Sequence, residues 1–390
     1  MGTGVADRIQ SLDILRGLAL LGMFIVHFHV NSTEPGGFDD VIRSLIWRLV
    51  ETKSHGAFAV LFGAGFAIQL RRSAERGRPF VRHYLRRLAV LALFGFAAHA
   101  FFGFNVLLGY ALWGVPLLVI RTWTTRALII VALLSASSVM VYQVARDRYL
   151  QWSVGPTLAR AVMENQRANA AEVNSALQVA ESGDSYRALL IARLRHMAWF
   201  YTQPFFFLPG ATLALFIVGF LFVRHRVFEN VRAHTRLLVV LALFAVVSWL
   251  ADNWLLDLWG MASFGLLRDQ WLTFAYLSGV LLLLSRKPQL IVRLRPVANA
   301  GRMALTNYMI QIATLDVLFS GYALGVGRVR PVVGFVAAVG CFAAEVAIST
   351  AWLQRFQLGP AEWLWRSLTY GRAEPLRRVT LPTTSPPVSV

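Results

Sequence analysis

Apolar stretches long enough to cross a bilayer recur along this sequence, and they constrain its fold more than any other feature. Ten such runs lie near 12–30, 54–70, 88–102, 105–120, 127–145, 203–223, 237–251, 270–285, 298–319 and 331–353. Backbone groups cannot stay unpaired in hydrocarbon, so a spanning segment must be a helix or a barrel strand. Barrel strands are short and alternate in polarity, whereas these runs are continuously apolar. The sequence therefore predicts an all-α integral membrane protein, a single bundle of about ten transmembrane helices over residues 1–378.

The composition agrees with a chain that faces lipid. Of its 390 residues, 57% are hydrophobic and 15% are charged, whereas about a quarter are charged in soluble proteins. A net charge of +18 would suggest a nucleic-acid partner in a soluble protein. Here the arginines lie between apolar runs, as in cytoplasmic loops, so no nucleic acid is expected. The single cysteine, Cys341, excludes an intrachain disulfide.

The placement of basic residues predicts the orientation of the bundle. Every second loop is rich in arginine, and the most basic one holds Arg71, Arg72, Arg76, Arg78, Arg82, Arg86 and Arg87. The alternate loops are balanced or acidic, as at Asp39, Asp40 and Glu51. By the positive-inside rule, an even number of spans then places both termini in the cytoplasm.

Two segments lie outside the predicted spans. Residues 146–198 have nearly balanced charge, an Ala-rich helical stretch over 157–180 and a Ser-Gly-Asp break at 182–184. This extracytoplasmic helical segment is either a solvated cap or a lid that binds substrate. The tail 379–390 is rich in Pro, Ser and Thr and is predicted to be disordered.

The first run carries the densest set of ionisable groups. Asp13 and Arg16 are three residues apart and can pair on one helix face. His27 is eleven residues beyond Arg16, which is close to three turns, so it lies on the same face about 16 Å further along. A neutral histidine is tolerated at low dielectric and can still accept a proton. We therefore interpret His27 as a candidate general base, with a helix–helix hydrogen bond as its alternative role.

Further polar groups inside the runs are candidates because their burial in a membrane is costly. His99, Asn105 and Tyr110 lie in the third and fourth runs, and Asn307 and Gln311 form a polar stripe in the ninth. Each group either lines a substrate path or makes interhelical hydrogen bonds. No spacing among the histidines supports a metal site, and no metal is expected.

The arginines at the start of the third run have two interpretations. Arg82, Arg86 and Arg87 can bind the phosphates of a cofactor. Alternatively they only set the topology and contact anionic lipid.

The first run also resembles a known helix. SLDILRGLALLGMFIVHFH at 11–29 is similar to the opening helix of the transmembrane acyltransferases. In one group of that superfamily a catalytic histidine stands ten residues after the glycine, and here that position, counted from Gly17, is His27. Gly17 is also expected to let another helix approach closely.

The rest of the chain resembles the YeiB-like family of bacterial membrane proteins, a domain-of-unknown-function family. The matching motifs are AFAVLFGAGFAIQL (57–70), RRLAVLALFGFAAH (86–99), SGDSY (182–186), NAGRMALTNYMIQ (299–311) and GPAEWLWRSLTYGR (359–372). One position departs from the family, because Asn105 replaces an acid that often precedes the fourth helix.

These resemblances imply acyl transfer in the bacterial plasma membrane. An acyl-CoA, expected to be acetyl-CoA, would enter from the cytoplasm, and an unidentified hydroxyl or amine would accept the acyl group. The implied roles are His27 as base, Asp13 and Arg16 as a structural or cofactor-orienting pair, and Arg82, Arg86 and Arg87 as phosphate contacts. The acceptor path would include His99, Asn105, Tyr110, Asn307 and Gln311. The alternative is a transporter or flippase without covalent chemistry, and a homo-oligomer is possible in either case.

Overall fold

The structure, a computed structural model, describes residues 10–33, 36–77, 79–103, 105–255 and 270–377. Within these ranges the chain is helical and forms no β-sheet. The all-α fold predicted from the apolar runs is therefore confirmed. The predicted disorder of residues 379–390 lies outside the described residues.

Sixteen α-helices make up the described part of the chain, and we number them in chain order. They are α1 (Gln10–Val30), α2 (Phe38–Leu49), α3 (Lys53–Glu75), α4 (Phe80–Phe102), α5 (Leu107–Gly114), α6 (Pro116–Ile120), α7 (Thr125–Ser182), α8 (Tyr186–Thr202), α9 (Gly210–Arg224), α10 (Thr235–Leu250), α11 (Trp271–Arg286), α12 (Gln289–Arg293), α13 (Arg295–Arg302), α14 (Ala304–Phe319), α15 (Pro331–Arg355) and α16 (Pro360–Tyr370).

Each of the ten predicted apolar runs corresponds to a helix or to a consecutive pair of helices. Among the described residues, six helical segments are long and apolar enough to cross a membrane: Gln10–Val30, Phe80–Phe102, Thr125–Ser182, Pro204–Arg224, Thr235–Asn253 and Pro331–Arg355. Shorter apolar helices lie at Leu107–Ile120, Trp271–Arg286 and Ala304–Phe319. The chain is thus a multi-helix membrane protein, while the count of ten spans stays a prediction.

Contacts between residues near the helix ends show which loops lie at the same end of the bundle. At the end that holds the basic loops, Arg71 pairs with Glu229 at 2.9 Å, and Arg224 donates to the Trp123 carbonyl. At the opposite end, Arg330 pairs with Asp39 at 2.7 Å. We call these the basic end and the outer end. The alternation of loops agrees with the predicted topology, and the cytoplasmic location of the basic end and of both termini stays a prediction.

The long segment before α9 is helical, with one sharp kink. Helix α7 changes direction at Gly155, where φ is 78°, and Pro156 follows. A residue in this conformation interrupts the helical backbone, and proline cannot donate a hydrogen bond to the preceding turn. The helix ends at Ser182, as the Ser-Gly-Asp break predicts, and Ser185 caps α8. The apolar run at 127–145 is therefore the first part of a longer helix.

Glycines allow the central helices to cross closely. A Cβ built on Gly17 of α1 would overlap the Val297 carbonyl oxygen of α13. In return, a Cβ on Gly301 would overlap the Asp13 carbonyl oxygen. No side chain fits at either position, so the close approach predicted at Gly17 is confirmed. This crossing holds Arg16 and Gly301 next to the cavity described below.

Candidate functional site

A cavity of about 280 Å³ lies in the middle of the bundle. We call it the central cavity. Its walls come from α1, α3, α4, α5, α13, α14 and α16: Arg16, Met23, His55, Phe58, Leu61, Phe62, Gly65, Phe66, Gln69, Tyr84, Arg87, Leu91, Val106, Leu107, Tyr110, Gly301, Arg302, Ala304, Leu305, Tyr308, Glu362 and Trp365. Apolar side chains dominate its middle, and polar groups are found towards both of its ends.

The central cavity is elongated along the bundle. His55 and Gln69 both line it and lie fourteen residues apart on α3, which is about 21 Å at 1.5 Å per residue. A hydrocarbon core is about 30 Å thick, so the cavity extends through much of it. It can therefore hold a long, narrow ligand that has a charged end and an apolar body.

Arginines surround the basic end of the cavity. Arg16 pairs with Asp13 at 3.0 Å, as the sequence predicts. The Arg87 guanidinium lies 3.7 Å from the centre of the Trp365 ring, and the indole nitrogen donates to the Arg87 carbonyl at 2.9 Å. Arg302 of α13 also lines this end. Three arginines thus line this end of the cavity, and guanidinium groups are suited to binding anionic oxygens.

Glu362 fastens the C-terminal helix α16 against this entrance. Its carboxylate accepts from the backbone N–H groups of Leu305 and Thr306 and from the Thr306 hydroxyl. Burial raises the pKa of the Glu362 carboxyl, and these hydrogen bonds oppose the shift. Because the Glu362 carboxylate is hydrogen-bonded to the start of α14, it holds α16 in place. The positive charge at this end comes from the arginines.

The far end of the cavity carries a histidine and two tyrosines. Tyr110 donates its hydroxyl proton to the His55 carbonyl at 2.8 Å. Tyr308 lines the cavity one turn beyond Ala304. Imidazole and phenol groups can accept or donate a proton, so this end of the cavity suits proton transfer.

His27 lies just behind the far end of the cavity. It is four residues after Met23 on α1, and Met23 lines the wall. Its ring centre is 6.1 Å from that of Tyr308. The His27 Nδ1 atom is buried and has no hydrogen-bond partner among the described residues. The structure therefore brings Arg16, Met23 and His27 onto the cavity side of α1, as the helical period predicts.

The predicted arginine cluster is divided by the structure. Arg87 lines the cavity, whereas Arg82 and Arg86 are exposed on α4, outside its lining. One residue along a helix is a rotation of about 100°, so Arg86 and Arg87 point in different directions. The entrance is lined by Arg16 and Arg302 together with Arg87, and not by Arg82 and Arg86.

The predicted polar stripe of α14 faces another helix. Asn307 donates to the Ala300 carbonyl and to the Ser349 hydroxyl at 3.1 and 3.0 Å. Gln311 donates to Glu345 at 2.9 Å. Neither side chain is part of the cavity wall, which α14 builds from Ala304, Leu305 and Tyr308 instead. The stripe therefore makes the interhelical hydrogen bonds that were its alternative role.

Asn105 organises the turn between α4 and α5. Its side-chain amide donates to the Gly95 carbonyl at 3.0 Å, and its side-chain oxygen accepts from the Leu107 N–H at 3.1 Å. It is buried and is not part of the cavity wall, whereas Tyr110 of the same predicted set is. An asparagine can make both bonds, but an ionised aspartate can only accept.

Asn105→Asp, which introduces the acid expected at this position from the family resemblance, should destabilise this protein. The variant keeps the acceptor for Leu107 and loses the donor to Gly95, so a buried carbonyl is left unsatisfied. We expect a loss of about 1–3 kcal/mol in the free energy of unfolding. Thermal unfolding in detergent measures it, with Asn165→Asp at an exposed position of α7 as the control. An unchanged midpoint for Asn105→Asp would contradict this role.

His99 belongs to a second polar cluster near the outer end. Its Nδ1 atom lies 3.0 Å from the Tyr201 hydroxyl, and its ring centre is 5.8 Å from that of His196. In the same region Arg193 of α8 forms a buried ion pair with Asp316 of α14. His99 is therefore separate from the central cavity and faces α8.

Several residues of the cavity were not predicted as site residues from the sequence. They are His55, Tyr308, Arg302, Glu362 and Trp365. His55 begins α3 as a polar residue ahead of an apolar run, which was a usable signal. The contributions of α13 and α16 depend on contacts between helices far apart in the chain, and no local pattern reports them. Among the described residues, no group of three or more His, Cys, Asp or Glu side chains is arranged to hold a metal ion.

Two family models match complementary parts of the chain. Residues 8–163 match the catalytic domain of heparan-alpha-glucosaminide N-acetyltransferase. Residues 222–372 match a family described as a protein of unknown function, DUF418. The first match contains α1 and α3 to α5, and the second contains α13 to α16, so the two matched regions meet at the central cavity.

Full-length relatives are found in bacteria. The uncharacterized protein YxaH of Bacillus subtilis is 28% identical over 96% of this chain and 97% of its own. The uncharacterized protein YeiB of Escherichia coli is 26% identical over 95% of this chain and 98% of its own. No solved structure matches the chain.

Proposed function

Because this chain belongs to the YeiB-like family of membrane proteins, which is related to the transmembrane acyltransferases, we propose that it is itself an acyltransferase. It transfers an acyl group, expected to be acetyl, from acyl-CoA to a hydroxyl or amine acceptor. The bacterial relatives support a location in the plasma membrane, with the basic end in the cytoplasm.

One observation carries the proposal. The part of the chain that resembles an acetyltransferase catalytic domain supplies most of the wall of a deep cavity. That cavity has arginines at one end and proton-transfer groups at the other. Acyl transfer from a phosphorylated thioester needs both features in one continuous space.

The donor would bind from the basic end. Arg16, Arg87 and Arg302 would hold its phosphates, since guanidinium groups pair with phosphate oxygens in a bidentate way. Ligand pockets usually measure about 300–1,000 Å³. At about 280 Å³ the cavity suits the acyl group and its narrow arm, with the nucleotide outside at the Trp365 rim.

The chemical step would occur at the far end. His27 accepts the proton from the acceptor O–H or N–H as the acceptor atom attacks the thioester carbonyl. The C–S bond breaks, the acyl–acceptor bond forms, and the leaving thiolate takes up the proton to give free CoA thiol. Tyr308 lines this end and would stabilise the charge that develops on the carbonyl oxygen by donating its hydroxyl proton, whereas the Tyr110 proton is already donated to the His55 carbonyl.

The test is acyl-CoA turnover by the purified protein in nanodiscs. Thiol release is followed with acetyl-CoA and with longer thioesters, and acyl-CoA binding is measured separately. Release above the background of empty nanodiscs supports the proposal. Neither release nor binding with any thioester would contradict it and would favour the transporter alternative.

Arg87→Gln should weaken donor binding more than it slows the chemical step. The substitution removes one charged contact at the entrance, and hydrogen bonds to charged groups contribute about 1.5–3 kcal/mol. We therefore expect KM for acyl-CoA to rise by roughly tenfold or more, with a smaller change in kcat. Arg76→Gln is the matched control, because Arg76 is exposed in the same basic loop and lies outside the cavity. Equal KM values for the two variants would exclude Arg87 from the donor site.

A further inference from the structure

A second cavity opens at the outer end of the bundle, away from the central cavity. Its volume is about 630 Å³, and we call it the outer cavity. Its wall includes His29 at the end of α1, Asp40, Arg43 and Trp47 on one face of α2, Glu51 just after α2, and Arg328 in the loop before α15. The wall is mostly polar and contains charges of both signs.

Helix α2 is amphipathic, and its two faces have different surroundings. Phe38, Val41 and Leu45 are exposed and lie on one side of the helix. The polar residues of the cavity wall lie on the other side, at Asp40, Arg43, Ser44 and Trp47. A helix with an exposed apolar face beside a bundle of membrane helices lies in the bilayer interface. The outer cavity is therefore at the depth of lipid headgroups.

Two arginines face the outer cavity from different elements. Arg43 belongs to α2, and Arg328 belongs to the loop before α15. That loop is held in place: Val329 exchanges backbone hydrogen bonds with Asn31 and Thr33, and Arg330 pairs with Asp39 of α2. Two guanidinium groups contributed by different elements of one cavity can hold a phosphate.

Acidic and aromatic groups lie beside the arginines. Asp40 and Glu51 bring two carboxylates to the wall, and Trp47 brings an aromatic ring. These are the groups that bind an ammonium ion. His29 lies 3.9 Å from Glu51 with its side chain only 9% exposed, and its Nδ1 atom has no partner among the described residues. A buried ring nitrogen next to the cavity provides a further contact for a polar ligand.

We propose that the outer cavity binds the headgroup of a zwitterionic phospholipid that carries a primary amine, such as phosphatidylethanolamine. Arg43 and Arg328 bind its phosphate, and Glu51 and Asp40 accept hydrogen bonds from its ammonium group. A purely anionic headgroup would leave both carboxylates facing negative charge. The inference is independent of acyl transfer.

The test uses the full-length protein equilibrated with vesicles of equal amounts of phosphatidylethanolamine, phosphatidylglycerol and phosphatidylcholine. Lipids that remain bound after transfer to detergent are counted by native mass spectrometry. We expect the ethanolamine lipid to exceed each of the other two by roughly tenfold, as for a difference of about 1.4 kcal/mol. Equal retention of the three lipids would overturn the proposal.

Variants distinguish lipid bound in the outer cavity from lipid bound to the rest of the lipid-facing surface. Arg43→Gln with Glu51→Gln should remove the preference for the ethanolamine lipid. The control is Arg160→Gln with Glu172→Gln, an exposed pair on α7 outside the cavity, which should keep it. If the double variant does not fold, Arg328→Gln on the loop gives the same test. Soluble phosphoethanolamine is the second probe, and binding of it without retention of the lipid would overturn the lipid as occupant.

Discussion

Replacing His27 by alanine should reduce acyl transfer by about 10²–10⁴-fold, the usual contribution of a general base. His27 lies on the cavity side of α1, beside Tyr308, with a buried ring nitrogen that has no partner in the described part of the chain. A nitrogen in that state is available to accept a proton from the acceptor. The measurement is the rate of thiol release with saturating acyl-CoA.

Two comparisons make the His27 result specific. His234→Ala changes a partly exposed histidine outside the central cavity whose Nδ1 atom contacts the Asn230 carbonyl, so it should retain full turnover. Binding of acyl-CoA should be nearly the same in His27→Ala and the wild type, because Arg16 at the donor end is about 16 Å from His27 along α1.

Wild-type turnover in His27→Ala would exclude His27 as the base. The wall of the central cavity then leaves His55 as the remaining histidine near the far end. Loss of turnover in His55→Ala together with full turnover in His27→Ala would transfer the role to His55. Loss of both activity and donor binding in His27→Ala would instead indicate a structural role.

Breaking the buried ion pair between Arg193 and Asp316 should lower the free energy of unfolding more than Asn105→Asp does. The exposed fractions of the two side chains are 4% and 1%. Asp316 also accepts from the Ser320 and Tyr322 hydroxyls at 2.8 and 2.6 Å. Removing one partner leaves an uncompensated buried charge, which costs about 3–5 kcal/mol. We therefore expect Arg193→Met to lower the free energy of unfolding by that amount.

A double replacement tests the physical reason for this loss. When both partners become apolar, in Arg193→Met with Asp316→Leu, no charge is left buried, and much of the stability should return. Unfolding in mixed detergent micelles measures all three variants. Arg146→Gln is the control: Arg146 pairs with Asp147 at 2.9 Å, both side chains are partly exposed, and such pairs contribute about 0–1 kcal/mol. A double variant as unstable as Arg193→Met would contradict the explanation.

The position of this ion pair also gives the segment 146–198 a structural role. Arg193 lies on α8, at the end of the segment 146–198, and Asp316 lies on α14, which lines the central cavity. The segment is further joined to the bundle by the Gly321 N–H, which donates to the Glu181 carbonyl at 2.8 Å. These contacts hold the C-terminal part of the segment against the bundle.

The site could be predicted from the sequence only where its residues share one helix. Asp13, Arg16 and His27 follow the helical period, and the structure places them at the cavity or directly behind it. The period cannot show what faces a helix. The sequence therefore left Asn307 and Gln311 open between a substrate path and interhelical hydrogen bonds, and in the structure both bond to α15.

The sequence by itself determined that this chain is helical and belongs in a membrane. Lipid offers no hydrogen-bond partners, so long apolar runs have one way to satisfy their backbones, and that rule is local. Tertiary structure decided which side chains meet in the cavity. Arg87 lines the cavity and Arg86 does not. The two neighbouring side chains point about 100° apart around α4. Only the packing of α16 against α4 determines which of these two directions faces the cavity. Arg193 and Asp316 are 123 residues apart, and only the packing of α8 on the bundle brings their charges together.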